Sequence, residues 1–183
     1  MKYTVLFAIL WHLATALPAQ SYGDCANAYI VCNNKIPIQI PEIPDAGKNE
    51  KEIAGSNCSN IPFPETNVVW LVWEVEKPGR LGFTLVPLNE SDDLDFVLYR
   101  TAVKGNHCRN RSEIACTLAG PPRAEDFART GSNCTGATGL RQQPGSASKT
   151  IGCSDDSDKF LADIEVKAGE QYVLFVNNYL SEK

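Results

Sequence analysis

The sequence predicts an all-β protein built as an antiparallel β-sandwich and exported from the cell. Apolar residues alternate with period two over several short segments, and no stretch sustains a helical period beyond one short turn near residues 24–32. Turn residues separate these segments at the spacing typical of sandwich domains. We therefore expect two layers of strands around one core.

The first 19 residues have the pattern of a secretory signal. Lys2 is followed by an apolar run that ends at Pro18 and the small residue Ala19. The run is shorter than the roughly 20 apolar residues that a membrane-spanning helix needs. We expect a signal peptide over residues 1–19 and one sandwich domain over residues 20–183, secreted or held on the outer cell surface without a membrane span.

The strongest strand signal is the segment 68–76, which is apolar on both faces and so predicts a central strand covered on both sides. Pro78 and Gly79 form a turn signal, after which Leu81, Phe83 and Leu85 alternate with polar residues. These two segments are expected to pair as a hairpin.

Four further segments complete the predicted strands. The isoleucines at 36, 38 and 40 alternate with Pro37, Gln39 and Pro41, which predicts an edge strand because proline lacks a ladder donor. Residues 93–99 form a strand with an acidic edge, and residues 160–166 and 171–177 form a last pair that turns at Ala168 and Gly169. The stretch 101–158 is expected to be a long cysteine-containing loop region. It is expected to be cross-linked by its cysteines, to carry function, or to contain strands in part.

All seven cysteines follow the expected cleavage site, so they enter an oxidising compartment and favour disulfides. Spacing favours Cys108 with Cys116 and Cys134 with Cys153, and Cys58 with either Cys25 or Cys32. The odd number leaves one cysteine over. A zinc site is disfavoured because the chain has no C-x-x-C pair and the mature part has a single histidine, His107.

Composition and motifs argue against catalysis and against nucleic acid. The net charge is −5 and the chain has no cluster of lysine or arginine. Nucleophilic hydrolysis needs a base beside its nucleophile, and the mature chain offers only His107, in a cysteine-flanked loop. We therefore expect no catalytic residue and no organic cofactor.

The acidic turn at residues 89–95 is the chemically most distinctive motif. Oxygen ligands at Asp92, Asp93 and Asp95 suit calcium, with Asp93 and Asp95 expected on one strand face. The turn lacks the EF-hand pattern, and the alternative is a solvated turn.

The aromatic residues offer few candidates for ligand contacts. Trp70 and Trp73 lie among valines and are expected in the core, whereas Tyr99 and Tyr179 are expected to be available for surface contacts.

Several motifs along the chain form a combined pattern. They are Asp24-Cys25 with Ala28 and Cys32, the strand 69–73, the segment 78–84, the segment 92–99, Thr138-Gly139-Leu140 and the segment 168–174. Together they resemble a β-sandwich module found in secreted and surface proteins of Bacteroidetes, many of them exported by the type IX route or associated with gliding motility. This module is similar in turn to pre-peptidase C-terminal domains and bacterial collagen-binding domains.

The resemblance implies a jelly-roll-like fold, here without its last strand, and a non-catalytic accessory or adhesion module that binds an extracellular protein or glycan. The loops of residues 101–158 are the expected binding region. The alternative is a structural spacer, or a truncated fragment of a larger surface protein or secreted peptidase. Calcium binding by collagen-binding relatives agrees with the acidic turn.

Overall fold

The computed structural model describes residues 22–32, 37–40, 47–49, 51–53, 56, 58, 65, 67–102, 104–118, 135–142, 149–151 and 159–178. Within these ranges the chain forms one 3₁₀ turn and eleven β-strands, with no α-helix. The all-β class is confirmed. The expected signal peptide lies outside the described residues.

The strands vary from two to eight residues in length, and the longest belong to one sheet. In chain order they are β1 (Tyr29–Ile30), β2 (Val68–Glu74), β3 (Gly79–Leu81), β4 (Phe83–Leu85), β5 (Leu94–Thr101), β6 (Arg111–Leu118), β7 (Thr138–Arg141), β8 (Lys149–Ile151), β9 (Phe160–Ala162), β10 (Ile164–Val166) and β11 (Gln171–Asn178).

A six-stranded sheet forms the centre of the fold, in the order β1-β2-β11-β5-β6-β8. Its four long strands are antiparallel, while the edge strands β1 and β8 run parallel to their neighbours. Residues 68–72 of β2 are all buried. The predicted central strand is therefore confirmed, because successive side chains point to opposite faces and both faces are covered.

The remaining strands cover one face of this sheet. Strand β4 pairs with β7 and β7 with β9, while β3 pairs with β10. Leu140 and Leu161 of this cover share a buried cluster with Phe96, Leu98 and Leu174 of the central sheet. The three sheets mix parallel and antiparallel pairs, so they do not form a clear single jelly-roll sandwich.

Two predicted hairpins do not form. Strand β2 pairs with β1 and β11, and the chain after Pro78 crosses to the second layer, where β3 and β4 pair with β10 and β7. The turn at Gly169, whose N–H donates to the Val75 carbonyl at 2.7 Å, likewise joins two layers. The physical reason is burial: β2 and β11 need cover on both faces, whereas β3 and β4 are partly exposed and suit an outer layer.

The segment that contains Cys25, Ile53 and Cys58, called here the N-terminal segment, covers the opposite face of the central sheet. Cys25, Ile53 and Cys58 pack in one buried cluster with Trp70 and Phe175. Disulfides Cys25–Cys108 and Cys58–Cys116 fasten this segment, with Cα atoms 5.7 and 6.1 Å apart. Closing loops of 83 and 58 residues stabilises the fold by about 4 kcal/mol each on loop-entropy grounds.

These bonds correct the predicted cysteine pairing. Cys108 bonds Cys25 rather than Cys116, and Cys58 bonds Cys116 rather than Cys25 or Cys32. Cys116 lies on β6, whose extended residues 111–116 alone span about 17 Å and carry it away from Cys108. Cys32 is exposed and unbonded. The predicted Cys134–Cys153 bond lies outside the described residues.

Two further expectations concern irregular segments. Residues 37–40 are not a strand, and the rest of the predicted edge strand is outside the described residues. The region 101–158 is partly strand, since it contains β6, β7 and β8. Local alternation did not reveal β7 and β8 because they are only four and three residues long, and it did not reveal β6 because its apolar residues Ile114, Ala115 and Cys116 are consecutive.

Candidate functional site

The acidic turn before β5 contains a buried carboxylate without a hydrogen-bond donor. Asp93 is fully buried, and neither of its carboxylate oxygens has a hydrogen-bond partner. Burial raises the pKa of the Asp93 carboxyl to about 6, although the charge of Lys159 opposes this rise. Within the described chain no lysine or arginine nitrogen lies within 4 Å of this carboxylate. Asp93 therefore does not fit the alternative prediction of a solvated turn.

Asp92 ties this turn to the end of β11. Its Oδ2 accepts a hydrogen bond from Asn178 Nδ2 at 2.8 Å, and its backbone carbonyl accepts one from Gly136 N at 3.1 Å. Asn178 is 6% exposed, and its Oδ1 has no hydrogen-bond partner. Asp93 in the turn and Asn178 at the end of β11 therefore carry three buried oxygens without donors, two on Asp93 and one on Asn178.

Asp95 occupies a different environment. It lies on β5 opposite Asn177 and, by strand alternation, on the face that carries Val97 and Tyr99. In the part of the chain that the structure describes, Asp92, Asp93 and Asp95 do not form a group whose ligand atoms all lie within 4.8 Å. The structure thus does not bring the three predicted calcium ligands together.

A second polar cluster lies beneath the N-terminal segment and centres on Arg111. Its guanidinium carbon lies 4.8 Å from the Trp70 ring centroid and 4.4 Å from that of Tyr99. The guanidinium N–H groups of Arg111 also donate hydrogen bonds to the Glu52 carbonyl and to Cys25 Sγ. Trp70 is confirmed as a core residue, and the expectation of a surface role for Tyr99 is wrong because Tyr99 is 6% exposed.

Two glutamates accompany this arginine. Glu52 accepts the Cys25 N–H and Glu65 accepts the Ile53 N–H, both at 2.8 Å. Burial raises the pKa of both carboxyls, while the Arg111 charge lowers it. These groups attach the N-terminal segment to the sheet, so the cluster has a structural explanation.

His107 also serves this attachment. Its Nε2 lies 2.9 Å from the Cys25 carbonyl, to which it donates because a carbonyl oxygen can only accept. The sulfurs of Cys25 and Cys108 lie within 4.8 Å of the His107 ring, but they are bonded to each other and cannot act as thiolate ligands. The hydrogen-bond partner of His107 is thus a backbone carbonyl and not a nucleophilic side chain.

The loop between β4 and β5 presents apolar side chains to solvent. Val86 and Leu88 are each 69% exposed, with Pro87 between them. Ile30 on β1 is equally exposed at another place, and Ile38 is 39% exposed. Trp73, by contrast, stacks on Tyr172 with ring centroids 6.1 Å apart. The exposed large apolar side chains of the described residues are therefore aliphatic.

Comparison with known proteins finds no matching family model, no matching curated protein and no matching solved structure. Within the described ranges no helix is long and apolar enough to cross a membrane.

Sequence reasoning found the acidic turn but missed Lys159, which directly precedes β9, and Asn178, which ends β11. It also missed Arg111. No local pattern marks these residues, because their partners lie far away along the chain. Asn178 bonds Asp92 and Arg111 bonds Cys25, each 86 positions away, and Lys159 acts on Asp93 from 66 positions away. The one sequence feature that could have indicated a polar site here was the pair Asn177-Asn178 at the end of a strongly apolar segment.

Proposed function

We propose that this protein is a secreted, non-catalytic accessory module that binds another extracellular protein through the loop of residues 86–93. The observation that carries the proposal is the exposure of Val86 and Leu88, each 69% accessible. Recognition residues commonly lie on loops that a rigid scaffold holds. This loop is held at both ends, by β4 in one layer and by β5 in the other.

The extracellular setting is supported by the two disulfides, since such bonds persist in oxidising compartments. The resemblance to secreted Bacteroidetes modules, with their jelly-roll-like architecture, supports the same role. Two layers packed around a shared apolar cluster are compatible with that architecture. His107, engaged with the Cys25 carbonyl, supports a module without catalytic machinery.

A protein ligand is favoured over a glycan. Sugar rings pack on exposed aromatic faces, whereas Trp70 is buried and Trp73 stacks on Tyr172. Val86 and Leu88 instead offer aliphatic surface, and Glu90 beside them is exposed. With a net charge of −5, the module suits a partner whose apolar patch has a basic rim.

The test is a screen of the purified mature chain on an array of extracellular matrix proteins and glycans. We expect binding to at least one protein. The double variant Val86→Ser/Leu88→Ser should weaken that binding at least tenfold. Two aliphatic side chains that become buried against the partner contribute about 1.4 kcal/mol or more to binding.

The matched control is Ile30→Ser, which removes an equally exposed aliphatic side chain from another surface. It should leave binding unchanged. Binding only to glycans, or equal loss in the control, would contradict the proposal. Binding to no array component would favour the structural spacer.

A further inference from the structure

The two disulfides differ in how far solvent reaches their sulfurs. Cys58 and Cys116 are both buried, with 3% and 1% of their surface exposed. Cys25 is fully buried as well, but its partner Cys108 is half-buried and follows the exposed residues 104–106. Thiol–disulfide exchange requires an incoming thiolate to reach one of the two sulfurs. Of these two bonds, Cys25–Cys108 therefore offers the better access, at Cys108, and a half-buried sulfur admits a small thiol more readily than the cysteine of a folded protein.

The charged groups beside the two bonds have opposite signs. Arg111 Nη1 donates to Cys25 Sγ at 3.3 Å, and the guanidinium is held there by its stacking on two aromatic rings. A neighbouring guanidinium stabilises a thiolate, and a better stabilised thiolate leaves a disulfide faster. At the other bond, Glu113 Oε1 lies 3.1 Å from Cys116 Sγ, where a carboxylate charge opposes a thiolate. Cys25 is therefore the better leaving group.

We infer that the Cys25–Cys108 bond is a reversible exchange site at which low-molecular-weight thiols modify Cys108. The incoming thiol gives its proton to solvent, and its sulfur forms a bond to Cys108 Sγ. The bond between Cys108 and Cys25 breaks, and its electron pair goes to Cys25 Sγ, which becomes a thiolate beside Arg111. The product is a mixed disulfide at Cys108, and attack of the Cys25 thiolate on it restores the original bond and releases the thiol. This reaction does not depend on the proposed protein binding through residues 86–93.

Non-covalent contacts hold Cys25 in position when the bond opens. Its backbone N–H donates to Glu52 Oε2 at 2.8 Å. Its carbonyl accepts from His107 Nε2 at 2.9 Å and from the Ala28 N–H at 3.1 Å. None of these hydrogen bonds uses the sulfur, and the second disulfide still fastens the N-terminal segment. The fold therefore survives the opening, and the Cys25 thiolate stays in place for the reverse reaction.

The experiment follows the two bonds separately in the full mature chain. Free thiols, including the exposed Cys32, are first blocked by alkylation so that they cannot attack either disulfide. The chain is then incubated at pH 7 with excess reduced glutathione, quenched by a second alkylating reagent, and digested for mass spectrometry. We expect Cys25–Cys108 to open at least about tenfold faster than Cys58–Cys116, with glutathione attached to Cys108 and not to Cys25.

Urea separates exchange in the native state from exchange through unfolding. Urea at concentrations that leave the chain folded should not change the rate at which Cys25–Cys108 opens, because no unfolding is required. A route through global unfolding would expose both bonds together and would accelerate as urea is added.

Two variants of Arg111 isolate its charge. Arg111→Lys and Arg111→Gln both lose the planar stack, but only lysine retains the positive charge beside Cys25. The lysine variant should open Cys25–Cys108 at least about threefold faster than the glutamine variant. The inference is overturned if both bonds open at the same rate in the parent chain, if glutathione is found on Cys25, or if Arg111→Gln opens as fast as Arg111→Lys. The parent chain alone decides the first two outcomes, so the test stands even where a variant does not fold.

Discussion

Replacement of Arg111 by alanine tests whether this residue secures the N-terminal segment to the central sheet. The guanidinium lies over two rings, at 4.8 Å from Trp70 and 4.4 Å from Tyr99. Cation–π contacts of this kind contribute about 0.5–2 kcal/mol each, depending on desolvation. Loss of the donor to the Glu52 carbonyl adds about 1–3 kcal/mol for an unpartnered acceptor.

We expect Arg111→Ala to lower the free energy of unfolding by about 3–5 kcal/mol, a large part of the 5–15 kcal/mol typical of a domain. Arg111→Lys keeps the charge but loses the planar stack, so it should cost about 1–2 kcal/mol. The measurement is urea-induced unfolding at pH 7, with a thiol titration to verify that both disulfides stay intact.

Arg100→Ala is the matched control. The Arg100 side chain is 50% exposed and contacts Glu170 at 3.3 Å, so its loss should cost less than about 1 kcal/mol. The reasoning is refuted if Arg111→Ala is no more destabilising than this control.

Two further predictions concern a glycine and a buried glutamate. Gly139→Ala should destabilise the fold by at least about 2–3 kcal/mol in thermal unfolding, because φ is +145° and the new Cβ would clash with the Phe83 carbonyl, whereas Gly79→Ala meets open space and should be tolerated. The pKa of Glu65 is raised above 4.5 by burial, so its unfolded form loses the proton first and stability falls as pH rises from about 4.5 through the folded pKa. Glu65→Gln should make the unfolding free energy depend less steeply on pH between 4 and 7, where the carboxyls of Glu52 and Asp93, whose pKa values burial also raises, still titrate. An unchanged pH profile would contradict the assignment.

Three central strands, β2, β5 and β11, were readable from the sequence. Segments 68–74, 94–101 and 171–178 are strands because apolar side chains on both faces require cover on both sides of a sheet. The same reasoning located Trp70 correctly and placed the acidic turn directly before β5.

Strand pairing could not be predicted as well from the sequence. The sequence predicted hairpins between neighbours along the chain, yet β2 pairs with β11, about a hundred residues later. Local turn signals such as Pro78-Gly79 show where the chain changes direction. They do not show whether it returns to the same sheet or crosses to the next layer.

The sequence by itself determined the all-β class, the central strands and the preference for disulfides over a zinc site, because these follow from local alternation and cysteine chemistry. The tertiary structure alone decided the cysteine partners, the Arg111 stack, the burial of Asp93 near Lys159 and the hydrogen bond between Asp92 and Asn178. Each of these joins segments distant along the chain. Their contacts depend on how layers pack, and no local pattern encodes that packing.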